Sequence, residues 1–245
     1  MKHYGFEDNL IDIEPYIPGE QSESPGLIKL NTNENPFPPS PAVAAALANF
    51  DADELLRYPS PDARELKAAL AEYHGVNAER VFIGNGSDEV LAFAFRAFFN
   101  ARLPVLFPDI TYSFYPVWCW LFGIAYNEVP LDDDFRVCAN DYAKPNGGIV
   151  ICNPNAPTSI GEGAACIEAI VRENPGSVII ADEAYVEFGG ESVLGLTEKY
   201  ANLVVTRSFS KARSLAGLRI GYAVGSELLT AKLTAVKDSF NSYTL

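Results

Sequence analysis

Residues 148–210 contain three short apolar runs, GIVICN (148–153), SVIIAD (177–182) and LVVTRSFS (203–210), separated by segments of helix length. The alternation extends outward, with VFIG (81–84) and PVLF (104–107) before these runs and RIGYAVG (219–225) after them. Short apolar strands that alternate with helical segments are typical of an α/β protein whose mainly parallel central sheet has helices on both faces. Such sheets bind ligands at the carboxyl ends of their strands, so a functional motif is expected to follow a strand.

The chain before the first strand does not show this alternation of strands and helices. Residues 1–40 are rich in Pro, Asn, Ser and Glu and end in LNTNENPFPPSP, where closely spaced prolines argue against helix and sheet. We therefore expect an N-terminal arm. Two amphipathic helices are predicted next, in AVAAALANF (42–50) and in ARELKAALAEYHG (63–75), the second ending at Gly75.

Composition narrows the class of function. The chain has 245 residues, of which 48% are hydrophobic, enough to bury a large core. Its 18 Lys and Arg against 32 Asp and Glu give a net charge of -14, which argues against nucleic-acid and anionic-membrane partners. The four cysteines form no CxxC pair and the two histidines are far apart, so we expect free, buried cysteines and no metal site. No apolar run has the length of a signal peptide or membrane span, which predicts a soluble cytoplasmic protein.

Two motifs follow predicted strands. GNGSDEV (84–90) opens a helix after VFIG, so the backbone N–H groups of Ser87 and Asp88 could bind an anion such as phosphate. The alternative is that these two side chains only cap the helix. ADEAY (181–185) puts Asp182 at the mouth of an apolar strand. A carboxylate at this position could pair with a basic ring nitrogen. Asp182 could equally cap a helix or bind a metal.

The segment SFSKARSLAGLRIGY (208–222) is the most informative one. It combines two hydroxyls, a lysine and an arginine at a strand end. Lys211 could form an imine with a carbonyl, and a solvated surface position is the alternative. One phosphate could be bound by the hydroxyls of Ser208 and Ser210 together with the guanidinium of Arg219.

Eight motifs, in order along nearly the whole chain, resemble those of the fold-type I pyridoxal-5'-phosphate (PLP) aminotransferases. They are PYIPGE, LNTNENPFPPSP, RYPSPDARELKAALAEY, GNGSDEV, PDITYSFY, CNPNAPTS, ADEAYVEF and SFSKARSLAGLRIGY. The NENP and GNGSDE forms favour the histidinol-phosphate aminotransferase branch. The resemblance implies three parts: an N-terminal arm (1–40), a PLP-binding large domain (41–225) and the start of a C-terminal small domain (226–245).

The resemblance also implies a role for each residue of a cofactor site. Lys211 would hold PLP as a Schiff base and then move the proton between Cα and C4'. Asp182 would pair with the protonated ring nitrogen, Tyr185 would bond the 3'-oxygen, and Tyr112 would stack on the ring. The phosphate would be bound by the backbone N–H groups of Ser87 and Asp88, by Ser208 and Ser210, and by Arg219.

Three further residues are implied outside this pocket. Tyr58, in RYPS, would reach the phosphate of the neighbouring subunit's cofactor, which implies a homodimer with shared active sites. Tyr16 and Asn33 would belong to an arm that closes over the substrate, and loop packing is the alternative for both.

The string NPNAPTS departs from the family pattern. Ala156 stands where many relatives have an asparagine that bonds the 3'-oxygen, and Ser159 stands in place of a glycine. The hydrogen bond to the 3'-oxygen could instead come from Asn155 or Asn153, or from Tyr185 alone. We predict that Asn155 makes it.

The chain also stops at NSYTL, whereas family members continue into a small domain that supplies an arginine for the substrate carboxylate or phosphate. We therefore expect an incomplete small domain: the chain is a truncated form or fragment, or the missing part is supplied in another way.

The implied activity is a ping-pong amino transfer through a Schiff base. Glutamate would load the cofactor and a 2-oxo phosphate ester such as imidazole acetol phosphate would unload it, as in the histidinol-phosphate:2-oxoglutarate transfer of histidine biosynthesis. The alternatives are an aromatic or branched-chain aminotransferase, threonine-phosphate decarboxylase, or a PLP-binding chain that no longer turns over.

Overall fold

A computed structural model describes residues 10, 26, 28–99 and 102–240, and a seven-stranded sheet forms its centre. The strands are β1 (Val81–Gly84), β2 (Val105–Pro108), β3 (Tyr126–Val129), β4 (Gly148–Cys152), β5 (Ile179–Asp182), β6 (Leu203–Ser208) and β7 (Gly221–Val224). Their order across the sheet is β1-β7-β6-β5-β4-β2-β3. Only β7 is antiparallel to its neighbours, β1 and β6, and the other pairs are parallel. The predicted α/β class with a mainly parallel sheet is confirmed.

Six α-helices accompany the sheet in the described part of the chain. They are α1 (Pro41–Ala48), α2 (Arg64–His74), α3 (Ser87–Phe98), α4 (Phe114–Phe122), α5 (Ala164–Glu173) and α6 (Glu227–Ser239). Side chains of each strand alternate between two cores: in β4, Ile149 and Ile151 pack toward α2 and α5, while Val150 and Cys152 pack toward α3, α4 and α6. Each such aliphatic side chain, once buried, stabilises the fold by about 1.5–3 kcal/mol. Packing in these two cores holds the strands in place, and with them the polar residues at the strand ends.

Several local predictions hold. Helix α2 ends at Gly75, whose φ of 67° is the left-handed conformation favoured at that position. The described part of the N-terminal arm, residues 28–40, contains neither helix nor strand.

Other expectations were wrong. Strand β3 was not predicted, because three of its four residues are exposed and the edge strand therefore lacks an apolar run. Cys119 and Cys152 are buried, as expected of core cysteines, but Cys166 is half-buried and Cys138 is exposed.

Helix α6, which follows the predicted domain boundary, packs against α3. Leu229 and Leu233 of α6 are buried in the same cluster as Val90 and Leu91 of α3. The division at residue 225 stays a prediction. Over the described ranges, no helix combines the length and the apolar character that crossing a bilayer requires.

Candidate functional site

A cavity of ≈ 720 Å³ lies at the carboxyl ends of the strands. It brings together ten of the thirteen residues singled out from the sequence, although they are spread along the whole described chain. These are Asn33, Ser87, Asp88, Tyr112, Asp182, Tyr185, Ser208, Ser210, Lys211 and Arg219. The location is the one expected for a ligand site of a mainly parallel sheet.

One corner of the cavity is built by the start of α3. The helix begins at Ser87, Gly86 is its N-cap with φ of 88°, and no side chain caps it. The interpretation of Ser87 and Asp88 as side-chain caps is therefore wrong. The first N–H groups of a helix have no acceptor within the helix, so this corner suits an anion.

Two glycines allow the arginine to reach this corner. A Cβ on Gly86 would lie 2.5 Å from Nη2 of Arg219, and a Cβ on Gly221 of β7 would overlap the backbone of Gly86 and Ser87. Side chains at either position would push Arg219 or the strand away from the helix start. The adjacent hydroxyl of Ser208 accepts a hydrogen bond from the backbone N–H of Ser210 at 3.1 Å, and both serines are buried.

Asp88 contributes a carboxylate that the sequence interpretation did not use. Its Oδ1 accepts a hydrogen bond from the Tyr112 hydroxyl at 2.8 Å, and its Oδ2 lies 3.4 Å from Nη2 of Arg219. The side chain thus ties the aromatic ring at the cavity wall to the cationic corner.

Lys211 is half-buried in the cavity, not a solvated surface lysine. Its Nζ donates a hydrogen bond to the Thr32 carbonyl oxygen at 2.7 Å and lies 5.5 Å from the centre of the Tyr185 ring. Burial lowers the pKa of the amine, and the charge of Arg219 lowers it further, against the opposite effect of the Asp88 carboxylate. A lower pKa increases the fraction of neutral amine, which is the nucleophile.

Asp182 ends β5 and is only 3% exposed. Its Oδ2 accepts a hydrogen bond from the Tyr115 hydroxyl at 2.9 Å, and its Oδ1 accepts one from the Thr206 hydroxyl at 3.2 Å. Burial raises the pKa of this carboxyl to about 6, and the two hydroxyls act in the opposite direction. Within the described ranges, no three His, Cys, Asp or Glu residues are grouped so as to hold a metal ion.

The predicted bond from Asn155 to a cofactor has no support in the geometry. Its two amide N–H groups donate to the Ile110 carbonyl at 2.9 Å and to the Thr158 hydroxyl at 3.0 Å, and its oxygen accepts from Thr111. The carboxamide of Asn153, the other candidate, is bonded to the backbone of Glu162. Both side chains hold the loop together, and neither residue lines this cavity.

Tyr185 has a different partner. Its hydroxyl accepts a hydrogen bond from Nδ2 of Asn33 at 2.9 Å, and burial raises its pKa. Asn33 and its neighbour Thr32 have φ of 51° and 62°, a left-handed conformation that is rare for non-glycine residues. This turn brings the arm across the cavity.

A second cavity, of ≈ 650 Å³, adjoins the first. The two share lining residues, namely Asn33, Ala156, Pro157 and Tyr185. The second is also lined by the carboxylate residues Glu162 and Glu191 and by Phe188.

Two candidates remain. Tyr58 is 86% exposed and does not line either cavity. Tyr16 lies outside the described residues.

Two site residues were missed from the sequence although a signal for each existed. Tyr115 stands three positions after Tyr112, within the same aromatic motif PDITYSFY. Thr206 stands two positions before Ser208 and so shares a strand face with it.

The sequence model of the family "Aminotransferase class I and II" matches residues 25–245. The chain is 53% identical over 238 residues to the histidinol-phosphate aminotransferase of Lactococcus lactis subsp. cremoris and 54% identical over 234 residues to histidinol-phosphate aminotransferase 1 of Pseudomonas aeruginosa. These alignments cover 97% and 96% of this chain and 67% of each relative.

The fold is similar to that of the histidinol-phosphate aminotransferase of Sinorhizobium meliloti, solved in complex with pyridoxal-5'-phosphate. The TM-score is 0.71 at 25% identity, over 86% of this chain and 64% of that one. The chain thus spans about two thirds of the length of the relatives that it matches. By the family match and by its identity to these relatives, the chain belongs to the class I and II aminotransferases, in the branch of the histidinol-phosphate aminotransferases.

Proposed function

We propose that the protein is a PLP-dependent aminotransferase that exchanges an amino group between glutamate and a 2-oxo phosphate ester, in the histidinol-phosphate:2-oxoglutarate reaction of histidine biosynthesis. One observation carries the proposal. A single cavity contains a half-buried amine, a buried carboxylate and an anion-binding helix start beside an arginine, at Lys211, Asp182 and Ser87. PLP carries the three matching groups, an aldehyde, a basic ring nitrogen and a phosphate.

The residues present fit this cofactor. The hydrogen bonds that Asp182 receives come from neutral donors, Tyr115, Thr206 and the backbone N–H of Ala184. A buried carboxylate gains stability from a cationic partner, which a protonated ring nitrogen would supply. At the other end of the cavity, Gly86 leaves room for Arg219 above the first turn of α3, where a phosphate would bind.

Each residue would then have a distinct task. When bound, PLP supplies an electron sink for the electrons of the Cα–H bond. Lys211 would hold the cofactor covalently through Nζ, and its amine would move the proton at Cα. Asp182 would keep the ring nitrogen protonated, and the Tyr112 side chain would contact the cofactor ring.

The other cavity groups would orient the cofactor. The Tyr185 hydroxyl donates to the 3'-oxygen, a task that falls to it because the carboxamides of Asn153 and Asn155 are committed within their loop. The phosphate is bound by the N–H groups of Ser87 and Asp88, by Ser208 and Ser210, and by Arg219. We assign Asn33 to the substrate-closing arm, because it lines both cavities and bonds Tyr185. For Tyr16 the same role remains a prediction from the sequence.

The proposed function is tested by absorbance and mass spectrometry. We expect the purified protein incubated with PLP to be yellow, and borohydride to fix a pyridoxyl group on Lys211. Glutamate and histidinol phosphate should each convert the bound cofactor to its pyridoxamine form, faster than threonine phosphate or aromatic amino acids do. Without an adduct on Lys211 the cofactor assignment fails. An adduct without conversion by any amine would indicate a PLP-binding chain that does not turn over, and CO₂ release from threonine phosphate would indicate a decarboxylase.

We also propose that the active protein is a homodimer in which Tyr58 contacts the phosphate of the partner's cofactor. The segment around Tyr58 supports this. Helix α1 buries none of its residues, and the large side chains Phe50, Leu55 and Leu56 are 52%, 67% and 83% exposed. Apolar surface of this kind is typical of a face that another chain covers.

Subunit mixing tests the shared site. Tyr58→Ala and Lys211→Ala chains should each be inactive or nearly so alone, since every site lacks one of the two residues. After subunit exchange, half of the dimers are mixed and each has one intact site, so about one quarter of the wild-type activity should return. Sedimentation velocity should give twice the chain mass of 26.7 kDa. A monomer, or no recovery of activity in mixed dimers, would contradict the proposal.

The proposal includes small-molecule amine and 2-oxo substrates and a cytoplasmic location. The four cysteines are free, which agrees with a reducing compartment.

A further inference from the structure

Tyr115 is a fully buried phenol directly behind the cavity. It lies on α4 with no exposed surface, and its ring packs against Phe95, Phe107 and Trp118. Its hydroxyl donates to Oδ2 of Asp182 at 2.9 Å. Asp182 lines the cavity and Tyr115 does not, so the phenol contacts the carboxylate from the protein side.

A second hydroxyl contacts the other carboxylate oxygen. Thr206 of β6 donates to Oδ1 of Asp182 at 3.2 Å, and the backbone N–H of Ala184 is 3.3 Å from the same oxygen. Each oxygen of Asp182 therefore has a neutral donor from the protein. Since a carboxylate oxygen accepts more than one hydrogen bond, both oxygens can still accept from a group in the cavity.

We propose that Tyr115 is a positioning residue that keeps a proton on the ring nitrogen of the bound cofactor by making the Asp182 carboxylate a weaker base. This inference rests on the proposed PLP chemistry and adds to it a residue that never touches the cofactor. Asp182 and the ring nitrogen compete for one proton, and the outcome decides how strongly the ring withdraws electrons.

The surroundings of Asp182 make its carboxylate a stronger base, which the Tyr115 hydrogen bond opposes. Burial raises the pKa of its carboxyl to about 6, and the negative charge of Asp88 acts in the same direction, while the Tyr115 hydrogen bond lowers the pKa. The buried thiol of Cys152 also faces this pair, and its own pKa is raised by burial, so it stays neutral. Without the phenol hydroxyl, the proton would move toward Asp182 and leave the ring nitrogen neutral.

The test compares two tyrosine variants that each lose one buried hydroxyl. Tyr115→Phe removes the donor to Asp182, and Tyr142→Phe is the matched control. Tyr142 is 1% exposed, and its hydroxyl has no hydrogen-bond partner among the described residues. Thr206→Val removes the second donor and serves as a further variant should Tyr115→Phe fail to fold.

Each protein is loaded with PLP labelled with ¹⁵N in the ring. We expect a pyridinium-type nitrogen signal in the wild type and in Tyr142→Phe, and a shift toward neutral pyridine in Tyr115→Phe and, less strongly, in Thr206→Val. The glutamate half-reaction should slow about tenfold in Tyr115→Phe, with an unchanged KM, because the electron sink is weakened while substrate contacts remain.

The outcomes separate this inference from the proposed function. If the wild type binds no PLP, the proposed function fails. If it binds PLP and Tyr115→Phe gives the wild-type nitrogen signal, or if Tyr142→Phe shows the same shift, the role of Tyr115 is refuted. A shift in Thr206→Val alone would assign the role to Thr206 and would also refute the role of Tyr115.

Discussion

Replacing Lys211 with alanine is expected to slow the glutamate half-reaction about 10³- to 10⁴-fold. The substitution removes both the proposed covalent attachment and the amine proposed to move the proton at Cα, and a positioned general base alone contributes about 10² to 10⁴. PLP should still bind, because the proposed phosphate site at Ser87, Ser208 and Arg219 does not involve Lys211. Stopped-flow absorbance after mixing with glutamate measures the rate, and equilibrium dialysis measures the binding.

Two further lysine variants make this test specific. Lys211→Arg keeps a positive charge near the Thr32 carbonyl, but a guanidinium stays protonated and cannot act as base or nucleophile, so it should be as slow as Lys211→Ala. Lys199→Ala removes a lysine that pairs with Glu168 and does not line the cavity, so this variant should react at the wild-type rate. A rate in Lys211→Arg within tenfold of the wild type would show that the amine is not the base.

The strand ends could be predicted from the sequence because their signal is local. Asp182 ends a run of apolar, buried residues, and Ser208 ends a fully buried strand that begins with three apolar residues. In a sheet of parallel strands such strand ends are brought to one edge. The polar residue that ends a buried run is thus recognisable before any contact is known. The same local signal was absent at β3, where exposed polar residues replace the apolar run.

The partners of the site residues could not be predicted in the same way. The carboxamide of Asn155 is bonded to the Thr111 hydroxyl and the Ile110 carbonyl, both more than 40 positions earlier in the chain. Only the folded chain decides whether such a side chain faces the cavity or its own loop. The Asp88 carboxylate was missed for the same reason, since Arg219 is 131 positions away.

Asp182→Asn is expected to have opposite effects on the cofactor-free and the loaded protein. Without cofactor, the raised folded-state pKa means that Asp182 is harder to ionise in the folded chain than in the unfolded one. Below the unfolded-state pKa of about 4, the carboxyl is neutral in both states and does not change the stability. As the pH rises through about 6, the free energy of unfolding of the cofactor-free protein falls. An asparagine at this position does not ionise, so the free energy of unfolding of the variant lacks this pH-dependent decrease.

The pH dependence isolates the effect, because all other titrating groups are common to both proteins. Urea unfolding at pH 5 and pH 8 should show the stability of the cofactor-free Asp182→Asn variant rising relative to the wild type by about 1–2 kcal/mol. Asp133→Asn, at an exposed aspartate that lines neither cavity, is the matched control. An equal pH dependence of unfolding in the wild type and Asp182→Asn would contradict a raised pKa at this position.

With PLP bound, the order should reverse. The carboxylate then has a cationic partner in the ring nitrogen, and removing one member of a buried charge pair costs about 3–5 kcal/mol. Asp182→Asn should therefore bind PLP about 10²- to 10³-fold more weakly and react with glutamate about 10³-fold more slowly, as measured by dialysis and stopped-flow absorbance. A buried acid that destabilises the empty protein and stabilises the loaded one is a residue kept for its ligand. Equal PLP affinity in both proteins would show instead that Asp182 does not face the ring nitrogen.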